Sequence, residues 1–207
     1  MLIPSQKSLL AEVHGEFSSR LSEFGTVTIA GGAVRDSLLG KMPKDFDVFI
    51  LQGEKFDLEK CRPAIISVLS DLSEVKPKVD WHKSEPYLAA TVLWRGQEIQ
   101  VLCNPAPTLA DLIGTFDWSV CLFGFDGKDY FRGEPLENIG PGKELRLQRV
   151  TFPVSTLRRG FRFSERFLMK LRRDDLATIC RMILEKHAPA EPDMPALAAN
   201  NLVGSIK

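Results

Sequence analysis

Two carboxylates, Asp45 and Asp47, stand two residues apart in the run Asp45-Phe46-Asp47-Val48-Phe49-Ile50. Read as a strand, the run puts Asp45, Asp47 and Phe49 on one face and Phe46, Val48 and Ile50 on the other. The second face can pack into a core, whereas the first holds two like charges that repel. Such a pair suits a hard divalent cation, and Mg2+ held by two carboxylates with a nucleoside triphosphate completing its shell is a common arrangement. The same spacing also occurs in solvated turns, and the residues upstream bear on the choice. There a β-rich run, TVTIA at 26–30, is broken by Gly31 and Gly32, and AVRDSLLG begins a short helix that Gly40 stops. A strand, two glycines and a helix start place backbone N–H groups where a phosphate can approach closely. Arg35, one turn into that helix, adds a two-pronged donor. The plainer alternative is an ordinary strand-to-helix turn with Arg35 paired to a surface acid.

The elements that must position these groups alternate between helix and strand. Leu9, Leu10, Val13, Phe17 and Leu21 recur at helical spacing and predict a helix over 5–23, which Gly25 ends. Residues 55–73 read as a helix interrupted by Pro63. PYLAATVLW and EIQVLCN read as a hairpin turned at Arg95-Gly96. TLADLIG reads as helix, WSVCLFGF as strand, and Asp126-Gly127 as a turn. Two helices are expected after that, over 156–173 and 174–187, and the Pro- and Ala-rich end 188–207 reads as a loosely held tail. The order of elements indicates an α/β or α+β fold with a helical C-terminal third.

Composition narrows the function. The 207 residues suit one domain, or one domain with a small appendage, and 44% hydrophobic residues are enough for a real core. Net charge is zero, so any site for a polyanion must come from local clustering. The first residues show no basic region followed by an apolar run, and no stretch approaches the ~18 apolar residues of a membrane span. The expectation is a cytoplasmic protein with no membrane partner. Cys61, Cys103, Cys121 and Cys180 are scattered without CxxC pairs and read as buried free thiols. His14, His82 and His187 have no ligand spacing, which argues against zinc chemistry.

Taken together, GGAVRDSLLGKMPKDFDV at 31–48 resembles the head domain of the tRNA CCA-adding enzymes and bacterial poly(A) polymerases, the second class of polymerase-beta-like nucleotidyltransferases. The resemblance implies a head with a small mixed sheet over 1–150, a short helical neck-like segment over 151–187 and the tail beyond it. It implies that Gly31, Gly32 and Arg35 cradle the phosphates of an incoming nucleotide, ATP or CTP, and that Asp45 and Asp47 hold two Mg2+ ions in a two-metal mechanism. FDWSVCLFGFDGK at 116–128 is similar to the family's second motif, which would set Asp117 near the ribose. Thr115 and Phe116 stand where that motif carries an arginine pair, and Cys121 replaces its asparagine. RRGFRFSERF at 158–167 is similar to the neck helix, where Arg159 and Arg162 would close over the nucleotide. The Glu-Asp-x-x-Arg element that selects the base is absent, since 152–156 reads FPVST. The third carboxylate expected from a neighbouring strand aligns with Gln100, and Glu98 takes its place as a metal ligand only if the register shifts by two.

Placed on one helix, Arg158, Arg159, Arg162, Arg166, Lys170 and Arg173 cover one arc, with Leu157, Phe161, Phe167, Leu168 and Leu171 on the other. This arc reads either as a solvated face or as phosphate contact, with Arg158, Arg166, Lys170 and Arg173 on RNA. The function implied is template-independent transfer of a nucleoside monophosphate to an RNA 3′ end, tRNA included. The helical body with which the family grips tRNA is not among these residues, and a protein partner is one way of supplying it. Two alternatives stay open: a toxin-type nucleotidyltransferase that modifies a protein or small molecule, and a non-catalytic RNA-binding or assembly protein that keeps the fold.

Overall fold

The helical repeat of Leu10, Val13, Phe17 and Leu21 winds Gln6–Leu21 into α1, and all four side chains are fully buried. The computed structural model describes residues 6–52, 57–82 and 87–187, so the expected tail at 188–207 lies outside the described residues. Seven strands form one mixed sheet: β1 (Thr26–Ala30), β2 (Phe46–Leu51), β3 (Lys78–His82), β4 (Tyr87–Trp94), β5 (Gln97–Asn104), β6 (Phe123–Phe125) and β7 (Tyr130–Arg132). Their order is β3-β4-β5-β2-β1-β6-β7, and every neighbouring pair is antiparallel except β2 with β5. The β4–β5 hairpin turns at Arg95-Gly96, both at positive φ, as the sequence indicates.

The alternation of β2 sets the layers. Phe46, Val48 and Ile50 pack with Leu10 and Phe17 of α1 and with Ile65 and Leu69 of α3 (Leu58–Leu72). Phe49 and Leu51 point to the other face and pack with Leu109, Leu112 and Ile113 of α4 (Leu109–Gly114). Pro63 does not interrupt α3. Asp57 caps its start by accepting from the Lys60 N–H at 3.2 Å, and buried Leu58, Ile65, Leu69 and Leu72 hold the helix on the sheet. Between β1 and β2 lies the short α2 (Gly32–Leu38).

The C-terminal part departs further from expectation. Of WSVCLFGF only Phe123–Phe125 is strand, because Ser119–Cys121 tightens into a 3-10 turn. The helix expected to reach Arg173 is α5 (Pro153–Phe167), which stops at Leu168 in the left-handed region, φ 53°. Ser164 anchors that stop: its carbonyl accepts from the Met169 N–H at 3.0 Å and its hydroxyl donates to the Met169 carbonyl at 2.6 Å. The chain then forms β9 (Lys170–Leu171), parallel to β8 (Glu144–Leu145), before α6 (Arg173–His187) begins. Lys170 and Arg173 therefore do not continue the arc of α5. Trp118, Val120 and Leu145 share a further core with Phe163 and Phe167 of α5 and Ile179 of α6. Cys103 is buried, Cys61 and Cys121 are half-buried, and Cys180 is exposed. Among the described residues no helix is long and apolar enough to cross a membrane.

Candidate active site

The end of β1, the start of β2 and the first turn of α2 meet at the candidate site. Gly31 adopts φ 81° and ψ −135°, a conformation that glycine enters without strain. A Cβ built on Gly31 lies 3.7 Å from Oδ2 of Asp47, so the glycine turn and the carboxylate are immediate neighbours. The Gly31 N–H donates to the Phe123 carbonyl at 2.7 Å and is not available to a phosphate, which corrects one expected contact. Gly32 is the first residue of α2, whose leading N–H groups have no intrahelical acceptor.

Asp47 lies beside Ala30 of β1 and Gln100 of β5 in register. Burial, and then the charge of Asp45, push its carboxyl up to about 6 from an ordinary 3.8. Asp45, just ahead of β2, is exposed. Glu98 is exposed, and no group of three or more Asp, Glu, His or Cys able to hold a metal exists among the described residues. Glu98 is thus not gathered with Asp45 and Asp47. The remaining pair still fits one divalent cation, because a cation relieves the repulsion and desolvation that raise the Asp47 pKa, and phosphate oxygens can complete the shell.

The other expected nucleotide contacts converge nearby, but three of them are engaged with the protein itself. Arg35 is only 1% exposed. Its Nε and Nη2 both reach Asp36 Oδ1 at 2.8 Å, its Nη1 donates to the Val120 carbonyl at 3.0 Å, and its guanidinium lies 4.7 Å from the Phe167 ring centre. Arg35 is a buried structural cation here, not the free phosphate donor expected. Asp36 Oδ2 also accepts from Nη2 of Arg166 at 2.7 Å, so one carboxylate ties α2 to α5. That pairing, together with stacking on Phe167 at 5.2 Å, withdraws Arg166 from the expected RNA stripe.

Asp117 is buried, and Arg159 Nη2 lies 2.6 Å from its Oδ2. The pair meets by distance but without hydrogen-bond alignment, which leaves Asp117 Oδ2 and Arg159 Nε without hydrogen-bond partners. Next to it, Trp118 is fully buried and donates from Nε1 to the Thr156 carbonyl at 2.9 Å. Gly160 lets α5 close on this indole, since a Cβ there would sit 2.5 Å from Trp118 Cζ2. Cys121 occupies the middle of the region. Loss of hydration pushes its thiol up to about 12, and its surroundings include the opposing charges of Arg35, Asp117, Arg159 and Asp47. Arg158 and Arg162 of α5 are exposed, with Arg162 over the Phe163 ring, and neither makes an ion pair among the described residues. The role of Asp36 as a bridge was not visible in the sequence. Its Arg-Asp dipeptide was, but a partner 130 residues away was not.

Comparison with solved structures defines the class of fold. The Thermotoga maritima CCA-adding enzyme complexed with tRNA is 16% identical over 89% of this chain, with a TM-score of 0.56. A CCA-adding enzyme with ATP is 15% identical over 89% of this chain, at a TM-score of 0.54. A tRNA-processing enzyme in its apo form is 18% identical over 91%, at 0.53. The chain spans 43%, 44% and 50% of those three chains, respectively. The fold is like that of the CCA-adding enzymes. Residues 5–171 match the model of the Gabija anti-defense 2 family protein, and the chain belongs to that family. A search of curated proteins found no match.

Proposed function

We propose that this chain is a Mg2+-dependent nucleotidyltransferase that moves a nucleoside monophosphate from ATP or CTP to an acceptor hydroxyl, with an RNA 3′ end as the first acceptor. The observation that carries this reading is the meeting of the Gly31 turn with Asp47, 3.7 Å from the position of a Cβ, beside the second carboxylate of Asp45. Asp45 and Asp47 would hold the metal, which when bound neutralises the triphosphate and lowers the pKa of the attacking hydroxyl. The acceptor oxygen attacks the α-phosphorus, the bond to the β-phosphate oxygen breaks, and pyrophosphate leaves in line. Gly32 and the exposed Arg162 would meet the phosphates. Asp117 and Arg159 would meet a ribose hydroxyl only by opening their own ion pair, in which Asp117 Oδ2 and Arg159 Nε lack an aligned hydrogen bond. Lys170 and Arg173, both exposed, remain for the RNA backbone.

Two observations favour a second reading, in which the acceptor is a protein of the Gabija system. Arg166 is occupied by Asp36, which breaks the basic stripe, and the family's name places its members in counter-defence. The test is incubation of the protein with each α-labelled NTP, Mg2+ and either total RNA or purified Gabija proteins. Label on RNA supports the first acceptor and label on protein the second. Binding of Mg2+-NTP without label anywhere points to a non-catalytic member, and failure to bind Mg2+-NTP overturns the proposal.

A further inference from the structure

α5 carries exposed apolar side chains that belong to no core cluster among the described residues. Pro153, Thr156, Gly160, Phe163 and Phe167 point inward and are buried. On a neighbouring face, about 120° round the helix, Val154 is 43% exposed, Phe161 50% and Leu168 66%. Val154 and Phe161 are seven residues apart and fall within about 20° of one another on α5, and Leu168 follows at the same spacing just past the helix end. Leu168 holds φ 53° at the helix end, where glycine is the usual residue, and stays exposed while doing so. Arg158 and Glu165 lie along one side of the apolar row, exposed, and neither forms an ion pair among the described residues.

We infer that this face is a docking surface for a second copy of the same chain, two α5 helices packing antiparallel about a two-fold axis at Phe161. The apolar row can meet itself in either orientation, but only the antiparallel one also brings Arg158 towards Glu165. Val154 meets the second copy's Leu168, Phe161 meets its own equivalent, and Arg158 comes within one residue of facing Glu165 across the axis. An acidic partner would leave Glu165 facing like charge, and RNA would leave both Glu165 and the apolar row without a counterpart. Four turns of helix bury less than the ~1,200 Å2 of a standard interface, so the dimer belongs to the weak, concentration-dependent class.

Charge exchange tests this directly. Arg158 and Glu165 lie two helical turns apart and cannot pair within one chain, so any rescue must come from another copy. Sedimentation of the wild-type chain over a rising concentration series should show a monomer–dimer equilibrium. Arg158→Glu and Glu165→Arg should each weaken it by roughly tenfold or more, and the double variant should regain wild-type association. Phe161→Glu should leave the chain monomeric with an unchanged circular dichroism spectrum, since the side chain is exposed. A wild-type chain that stays monomeric at hundreds of micromolar overturns the inference. So does a double variant no better than the singles. Loss of RNA binding in Arg158→Glu with no change in association would give this face to nucleic acid instead. None of these readouts requires nucleotidyl transfer, so the dimer can fail while the enzymatic reading stands, and the reverse.

Discussion

Asp47→Asn should make the metal-free protein more stable near neutral pH. Burial and the neighbouring Asp45 raise the Asp47 carboxyl from 3.8 to about 6. The native state therefore binds this proton more tightly than the unfolded chain does, and ionising the group counts against folding. The sign follows: below the unfolded value both states carry the proton and there is no penalty. The penalty then grows as pH rises through the window from 3.8 to about 6, and it is complete above that. A shift of this size corresponds to at most about 3 kcal/mol. Asparagine keeps the shape and removes the charge, but it still needs hydration for its amide, so a net gain of about 1–2 kcal/mol is expected. For a chain of this length that is a rise of roughly 2–8 °C in Tm. The assay is thermal unfolding of wild type and variant in chelator, near neutral pH and again at about pH 4, where the carboxyl is protonated in the wild-type fold. The gain should be present in the first condition and small in the second. Adding Mg2+ and ATP should then stabilise the wild type and leave the variant unmoved. An equal gain at both pH values, or none at neutral pH, refutes the account of a desolvated, repelled carboxylate.

Three further outcomes follow from the same geometry. Asp36→Asn strips the counter-charge from Arg35, which is 1% exposed, and should cost about 3–5 kcal/mol in denaturant unfolding; Arg166→Ala, whose guanidinium is partly solvated, should cost only about 1–2 kcal/mol. Gly160→Ala forces a methyl to 2.5 Å from Trp118 Cζ2 and should destabilise by about 1–3 kcal/mol, with a change in tryptophan emission showing where the strain goes. Gln100→Glu adds a carboxylate beside Asp47 in register, and should lower metal-free stability while tightening Mg2+ binding measured by calorimetry.

Periodicity made most of the sheet legible. β2 shows a strict alternation whose two faces enter different cores, and α1 shows an unbroken helical repeat, so both could be read from local pattern. β3 could not. Only five residues long and at the sheet edge, it has exposed Lys78 and Asp80 around half-buried Val79, with little apolar signal to mark it. The end of α5 was equally hidden. Residues 167–173 contain no glycine or proline, and every residue there tolerates a helix. What stops it is tertiary: the Ser164–Met169 bonds, burial of Met169 and pairing of Lys170–Leu171 with Glu144–Leu145 together outweigh local propensity.

The candidate site was legible in its acids and glycines and illegible in its arginines, for one physical reason. The place of Asp47 is set by strand alternation and that of Gly31 by a backbone angle, both local properties. An arginine's role depends on whether an acid distant in sequence reaches it first, and a charge pattern on a helical wheel carries no record of that. Asp36 takes both Arg35 and Arg166, and Asp117 takes Arg159. Cations neutralised in this way fasten α5 to α2, and removing the acid that holds the buried Arg35 costs far more than releasing the partly solvated Arg166. Arg158 and Arg162 carry no such obligation. The fold has therefore sorted one uniform-looking stripe into fasteners and free charges, and it is the free charges that a ligand or a second chain can recruit without first breaking the protein's own bonds.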